Sequence, residues 1–392
     1  ARAMAKARKV TITLGDATAG TGHRFGVCSL ASTAAAAWGG GSQLLSAGRD
    51  GTICAWRYGE DAAAAPELSF VLEDHTDWVN DLVLVHEGGQ AAALVSCSSD
   101  TTLKVWRPSG DAGQPATVHT MRRHKDYVKA LAYAPQAPLL ASASCDRTVL
   151  LWDLRTLQPC GSSGAAGDPH THRDSVYCLA TNPNASLLAS GSVDSDVRLW
   201  DPRESQGHFT LRGHTDAVRG LAMSEDGKRL LSCGSDRTVR VWHLGERRCE
   251  QVFAPHDDSV FCIAVDSAWT NVLSGARDGT VCTTPLRGGA APPSTLLCKG
   301  RGIVQRLLSP SEQPDLLWVA SSESMLTCWQ LPPTAHAAHA AHVAHGSANG
   351  SRRSTPRRRA APTPPSPPGA APTPAPSADP TSSRTPPART PP

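Results

Sequence analysis

His75-Thr-Asp-Trp-Val79, followed by Ser96-Cys-Ser-Ser-Asp100-Thr-Thr-Leu-Lys-Val-Trp106, is the stretch that decides the fold. Its marks recur seven times. The acids are Asp50, Asp100, Asp146, Asp194, Asp236, Asp278 and Glu323, spaced 50, 46, 48, 42, 42 and 45 residues apart. Six residues after each stands Trp56, Trp106, Trp152, Trp200, Trp242, Thr284 or Trp329. Upstream of the acids lie Val27, Val79, Val128, Val176, Val218, Val260 and Val304. A period of this length marks stacked supersecondary units that share one continuous core.

Four residues before six of the valines stands a His: His23, His75, His124, His172, His214 and His256. Four residues before six of the acids stands a Ser: Ser46, Ser96, Ser142, Ser190, Ser232 and Ser274. Asp77, Asp126, Asp174, Asp216 and Asp258 follow their His by two. These residue types can form a hydrogen-bonded chain that ends on the Trp N–H, and a buried network of this kind helps only when every member is satisfied. The His, Ser and Asp residues are therefore read as staples within each unit. The same types make up a catalytic triad, but several triads at a fixed period are implausible. Val176–Thr181 and Val260–Val265 alternate as half-buried strands do. Strand, turn and strand around each acid predict four-stranded antiparallel blades arranged radially, an all-β propeller of the WD40 type. Val10–Leu14 is the candidate strand that closes the ring.

Residues 1–8 are expected to be disordered, 9–331 to hold the propeller, and 332–392 to be a disordered tail rich in Ala, Pro, Ser and Arg. From residue 333 the tail has seven Arg and one Asp, a net +6, so the remainder of a chain of net +3 stands near −3. The basic balance thus belongs to the tail, and no direct nucleic-acid binding is expected of the propeller. His336, His339, His342 and His345 recur within Ala repeats and read as low complexity, with no metal or cofactor expected. Arg352-Arg353 and Arg357-Arg358-Arg359 resemble a nuclear-import cluster. The twelve Cys contain no Cys-x-x-Cys pair. Cys178, Cys233 and Cys262 fall inside strands as small apolar residues, which favours a reducing compartment. No signal peptide or long apolar run is evident, so a soluble intracellular protein with no membrane partner is expected. The opening Ala1, in place of Met, suggests a fragment.

Some stretches are more specific than the general repeat. They are His75–Leu84, Ser98–Trp106, His124–Tyr133, Trp200-Asp-Pro-Arg203, Trp242–Cys249 and Arg277–Arg287, the last including the lost Trp at Thr284. Together they resemble the WD repeat-containing protein 48 family, the WD-repeat activators of ubiquitin-specific proteases, over about residues 9–331. The resemblance implies a non-catalytic subunit that binds the catalytic domain of a deubiquitinase and activates it, in DNA repair, in nucleus and cytoplasm. Ubiquitin and further WD-repeat proteins are the other partners it suggests. That family has a further repeat after the seventh and C-terminal regions that this tail replaces, so seven or eight blades stay open. The insert Ala34–Gly41 is expected to form a surface loop on the first blade.

One face of a propeller is built from the residue after each Val, the residue before it and the residue before each acid. The first set comprises Cys28, Asn80, Lys129, Tyr177, Arg219, Phe261 and Gln305. The second includes Trp78 and Tyr127, and the third Arg49 and Arg277. Exposed aromatics and Arg are the types enriched at binding hot spots. Arg219, Phe261 and Arg277 are expected to form one partner patch, with Trp78, Tyr127, Lys129 and Tyr177 as further contacts. Trp152-Asp-Leu-Arg155 and Trp200-Asp-Pro-Arg203 also resemble the ending of receptors for cullin-4 ubiquitin ligases, an alternative function. A general assembly scaffold is the third reading. No phosphate loop or metal cluster points to an enzyme.

Overall fold

In a computed structural model, the described residues are 8–12, 22–33, 38, 42–59, 66–87, 90–108, 116–163, 171–203, 209–266, 269–286, 294–310, 316–323 and 326–330. The tail expected to be disordered, with its His repeats and Arg clusters, lies outside them, as do residues 1–7.

The strands form seven antiparallel sheets of four. Six blades are continuous in sequence. The first is typical, with Val27–Thr33 innermost, then Gln43–Gly48, Thr52–Arg57 and Glu67–Glu73. The seventh combines Val304–Leu308, Leu316–Ser321 and Leu326–Gln330 with Arg8–Ile12, the strand nearest the N-terminus. That strand pairs antiparallel with Leu326–Gln330, Lys9 opposite Trp329 and Val10 opposite Cys328. The closing strand expected at Val10–Leu14 is thus present two residues earlier. The ring closes with seven blades, and the innermost strands of blades one and seven lie side by side. No further repeat is needed.

Apolar residues fill the spaces between neighbouring blades. Leu45, Ala47 and Ile53 of blade one pack with Val79, Leu94 and Trp106 of blade two. Ala189, Val197 and Leu199 of blade four pack likewise with Val218, Leu230 and Trp242 of blade five. Each sheet therefore buries both faces, and no blade has a core of its own, as expected of a repeat architecture.

The acids sit in tight turns between second and third strands. The residue after the acid returns its N–H to a carbonyl three positions back, as in Thr101 to Ser98 and Arg237 to Gly234. That residue is left-handed in six blades: Gly51, Thr101, Arg147, Ser195, Arg237 and Gly279. At Gly51 and Gly279 glycine is required for space too. A Cβ would stand 2.9 Å from the His75 carbonyl oxygen in the first and 2.6 Å from that of Gly300 in the second.

Of the insert Ala34–Gly41, only Trp38 is described, and it corrects the expectation of a surface loop there. Its ring is buried, stacks near Phe70, and donates its N–H to the Ala91 carbonyl at 3.0 Å. This insert carries a core residue that bridges blades one and two.

Candidate functional site

Two constellations compete for function: the buried His, Ser and Asp sets and the end of the ring where the inner strands begin.

In blade two, Trp106 Nε1 donates to Ser96 Oγ at 2.8 Å. Ser96 Oγ meets His75 Nε2 at 2.7 Å, and His75 Nδ1 meets Asp100 Oδ2 at 2.8 Å. Trp can only donate, so the Ser proton is free for His Nε2 and the imidazole proton sits on Nδ1, facing the carboxylate. The set repeats as Trp152, Ser142, His124 and Asp146. It repeats again as Trp200, Ser190, His172 and Asp194, and as Trp242, Ser232, His214 and Asp236. Blade one follows with Trp56, Ser46, His23 and Asp50.

Blade six lacks the Trp, and its His256 Nδ1 meets Thr280 Oγ1 at 2.8 Å, which in turn donates to Asp278 at 2.6 Å. Blade seven has Gly300 and Val319 in place of His and Ser, and Trp329 Nε1 turns to Thr327 Oγ1 at 3.3 Å.

The five complete sets have the connectivity of a catalytic triad, yet Ser46, Ser96, Ser142, Ser190 and Ser232 are all 0% exposed. Each Oγ also accepts a Trp N–H, so no substrate can reach it. They hold the blades together. Asp77, Asp126, Asp174, Asp216 and Asp258 do not join them, contrary to expectation. Each accepts the N–H of the next residue, as Asp77 does from Trp78 at 2.7 Å and Asp216 from Ala217 at 2.6 Å. They shape the turn that leads into the inner strand.

Burial opposes ionisation of each stapling carboxylate, but hydrogen bonds from His and neighbouring donors outweigh it. Asp50 and Asp194 are lowered to about 2, and Asp100, Asp146 and Asp236 fall further. A folded-state value below the ordinary 3.8 means that the stabilisation is complete above that pH and is lost as pH falls through the folded value. The melting temperature is therefore expected to drop steeply as pH falls from about 4 to about 2. In the Asp236→Asn protein this drop should be shallower. An equally steep drop in that variant would show that other carboxylates govern acid unfolding.

The second constellation is built by a backbone bond common to all seven blades. The N–H of the residue before the acid donates to the carbonyl of the residue before the Val, as in Arg49 to Gly26, Ser99 to Trp78 and Arg277 to Ser259. These two positions and the residue after the Val thereby surround one mouth of the central channel, a cavity of about 520 Å³. Cys28, Asn80, Lys129, Tyr177, Arg219, Phe261 and Gln305 all line it, as the sequence spacing implied. The Arg219 guanidinium lies between two rings, 4.8 Å from the Tyr177 centroid and 5.0 Å from that of Phe261. Its Nε donates to Ser235 Oγ at 3.0 Å. Arg49 covers Trp78 at 4.6 Å, and Lys129 lies 5.3 Å from the Tyr127 ring.

Arg219 and Phe261 are thus brought together as expected. Arg277 is exposed on the same rim but is not part of the channel lining. Trp78 and Tyr127 are 42% and 48% exposed, and Phe25, which sequence reading passed over, is 61% exposed in the same approach to blade one. The Asp in Trp152-Asp-Leu-Arg155 and in Trp200-Asp-Pro-Arg203 accepts the N–H of the Arg at 2.8 and 2.9 Å. This gives both tetrapeptides a local role in the turn.

The profile of the WD40 family (WD domain, G-beta repeat) matches residues 17–57, 66–107, 116–153, 168–201, 206–243 and 247–283. These matches cover more than half the chain and six of its seven blades, and they stop before the blade whose staple is lost. Proteins of this architecture are generally non-catalytic platforms for protein interaction. The repeat, the ring and the buried staples agree with that profile: the chain belongs to the WD40 repeat family.

Proposed function

We propose that this propeller is a non-catalytic activator of a ubiquitin-specific protease, working in nucleus and cytoplasm, which it grips through the channel-mouth face of blades five and six. The observation that carries this reading is the Arg219 guanidinium held between Tyr177 and Phe261. A pre-ordered cation flanked by half-exposed rings loses little side-chain freedom on binding, which is what a hot spot requires. Resemblance to the protease-activating WD-repeat family supplies the partner class. Arg219 and Arg277 would pair with acidic groups of the protease, and Phe261 would supply the apolar anchor. Activation follows if the propeller binds the active conformation of the protease more tightly than the inactive one.

The test titrates the protein into a purified deubiquitinase and follows cleavage of a fluorogenic ubiquitin substrate. Phe261→Ala is expected to cost about 2 kcal/mol of binding, seen as a rightward shift of the activation curve. Charge reversal at Arg219 or Arg277 should shift it further at low salt. If all three variants melt normally and activate at unchanged concentrations, the patch is not the interface. Trp78 and Tyr127 are then the residues to substitute next.

A further inference from the structure

Four cations, Arg49, Lys129, Arg219 and Arg306, line the channel mouth together with one carboxylate, Asp81. Asp81 is already committed. Its Oδ1 accepts from Ser29 Oγ at 2.7 Å and from the Leu82 N–H at 3.0 Å, and its Oδ2 accepts from the Leu131 N–H at 3.0 Å. It thereby ties together the inner strands of blades one, two and three. Arg306 Nη2 forms an ion pair with it at 3.9 Å.

Three of the cations are held by ring faces and not by carboxylates. A ring contact occupies the face of a guanidinium and leaves its in-plane N–H donors available. Arg49 Nε meets no acceptor among the described residues. Unneutralised charge in a concave, low-dielectric opening concentrates the field toward an approaching anion.

We propose that the channel mouth binds an acidic peptide: an extended segment of a partner protein that inserts a Glu or Asp carboxylate among Arg49, Lys129 and Arg306. The shape of the site selects a peptide over a nucleic acid. The cations surround a single hole, whereas a phosphate backbone needs a continuous basic stripe. The inference is separable from the deubiquitinase reading through Arg49 and Arg306, which lie outside the contacts assigned to the protease, whereas Lys129 is shared with them.

The experiment measures fluorescence anisotropy of a fluorescein-labelled Glu-rich peptide against the full chain, with a Gln-for-Glu peptide and inorganic phosphate as comparisons. The Glu peptide should bind about tenfold more tightly than its Gln counterpart, with affinity falling as salt rises. Arg49→Gln, Lys129→Gln and Arg306→Gln should each weaken it by a similar factor while leaving the melting temperature unchanged. Arg306 is 46% exposed, so its variant decides the matter if either of the others melts early. Equal binding of the two peptides, or unchanged binding by the Arg306 variant, overturns the proposal. So does displacement by phosphate at the same concentration as unlabelled Glu peptide, which would mark a general anion site.

Discussion

Asp236→Ala is expected to destabilise the ring by about 3 kcal/mol, the upper end of the range for leaving buried hydrogen-bond donors without their acceptor. The carboxylate accepts from His214 Nδ1 at 2.8 Å, from Thr238 Oγ1 at 2.8 Å, and from the N–H groups of Thr238 and Thr215 at 3.0 and 3.2 Å. Alanine leaves all four donors short of an acceptor. It also frees the His214 ring, whose other nitrogen holds Ser232 and through it Trp242. The damage would therefore spread from the turn into the space between blades four and five, where Trp242 packs. Calorimetry or denaturant unfolding reads the effect directly. A melting temperature equal to wild type would mean that the staple of blade five contributes nothing to stability.

Gly26→Ala should cost about as much, some 3 kcal/mol, at the upper end for overpacking. A Cβ on Gly26 would stand 2.2 Å from the Ser322 carbonyl oxygen and 2.6 Å from its carbon. Both are backbone atoms of blade seven, so no side chain can rotate away. The Gly26 carbonyl also accepts the Arg49 N–H at 3.0 Å, which ties it to the turn of its own blade. Relief must come from parting blades one and seven. Gly300→Ala is the matched control, because its Cβ would find only the Gly279 carbonyl oxygen at 3.9 Å. That variant should melt within a degree or two of wild type, since substitutions that meet no obstacle usually change stability by less than about 0.5 kcal/mol. If both glycine variants melt alike, the seam between blades one and seven is more yielding than its atoms indicate.

The fold was legible because its signals are local and repeated. The acid marks a turn, the Trp marks the following strand, and His and Ser at constant offsets mark the staple. Chemistry that depends on one blade meeting another was not legible. Asp81 looks like an ordinary polar residue early in a strand, and only the convergence of three inner strands makes it a buried tie. Trp38 sits among Ala and Gly, a composition that reads as a loop, and its burial depends on the Ala91 carbonyl in the next blade. Asp77 and its counterparts share an offset with the staples but not their geometry, since an Asp can cap its own turn more readily than it can reach inward. At the channel mouth the spacing correctly gathered Arg219 with Phe261. It could not reveal that Tyr177 completes the clamp from the other side, or that Arg277 stays outside the lining.

The pairing of Arg8–Ile12 with Leu326–Gln330 has a consequence for biogenesis. Arg8–Ile12 leaves the ribosome long before its partner exists. At about 5–20 residues per second, the wait is on the order of tens of seconds. Throughout that interval Arg8–Ile12 has backbone donors and acceptors with no mate, the kind of open edge that invites pairing with another chain. Blade one meanwhile lacks the seventh blade against which Val27, Leu30 and Trp56 will pack. Until then the ring is an open arc with apolar surface at both ends, and it closes only once Leu326–Gln330 has been made.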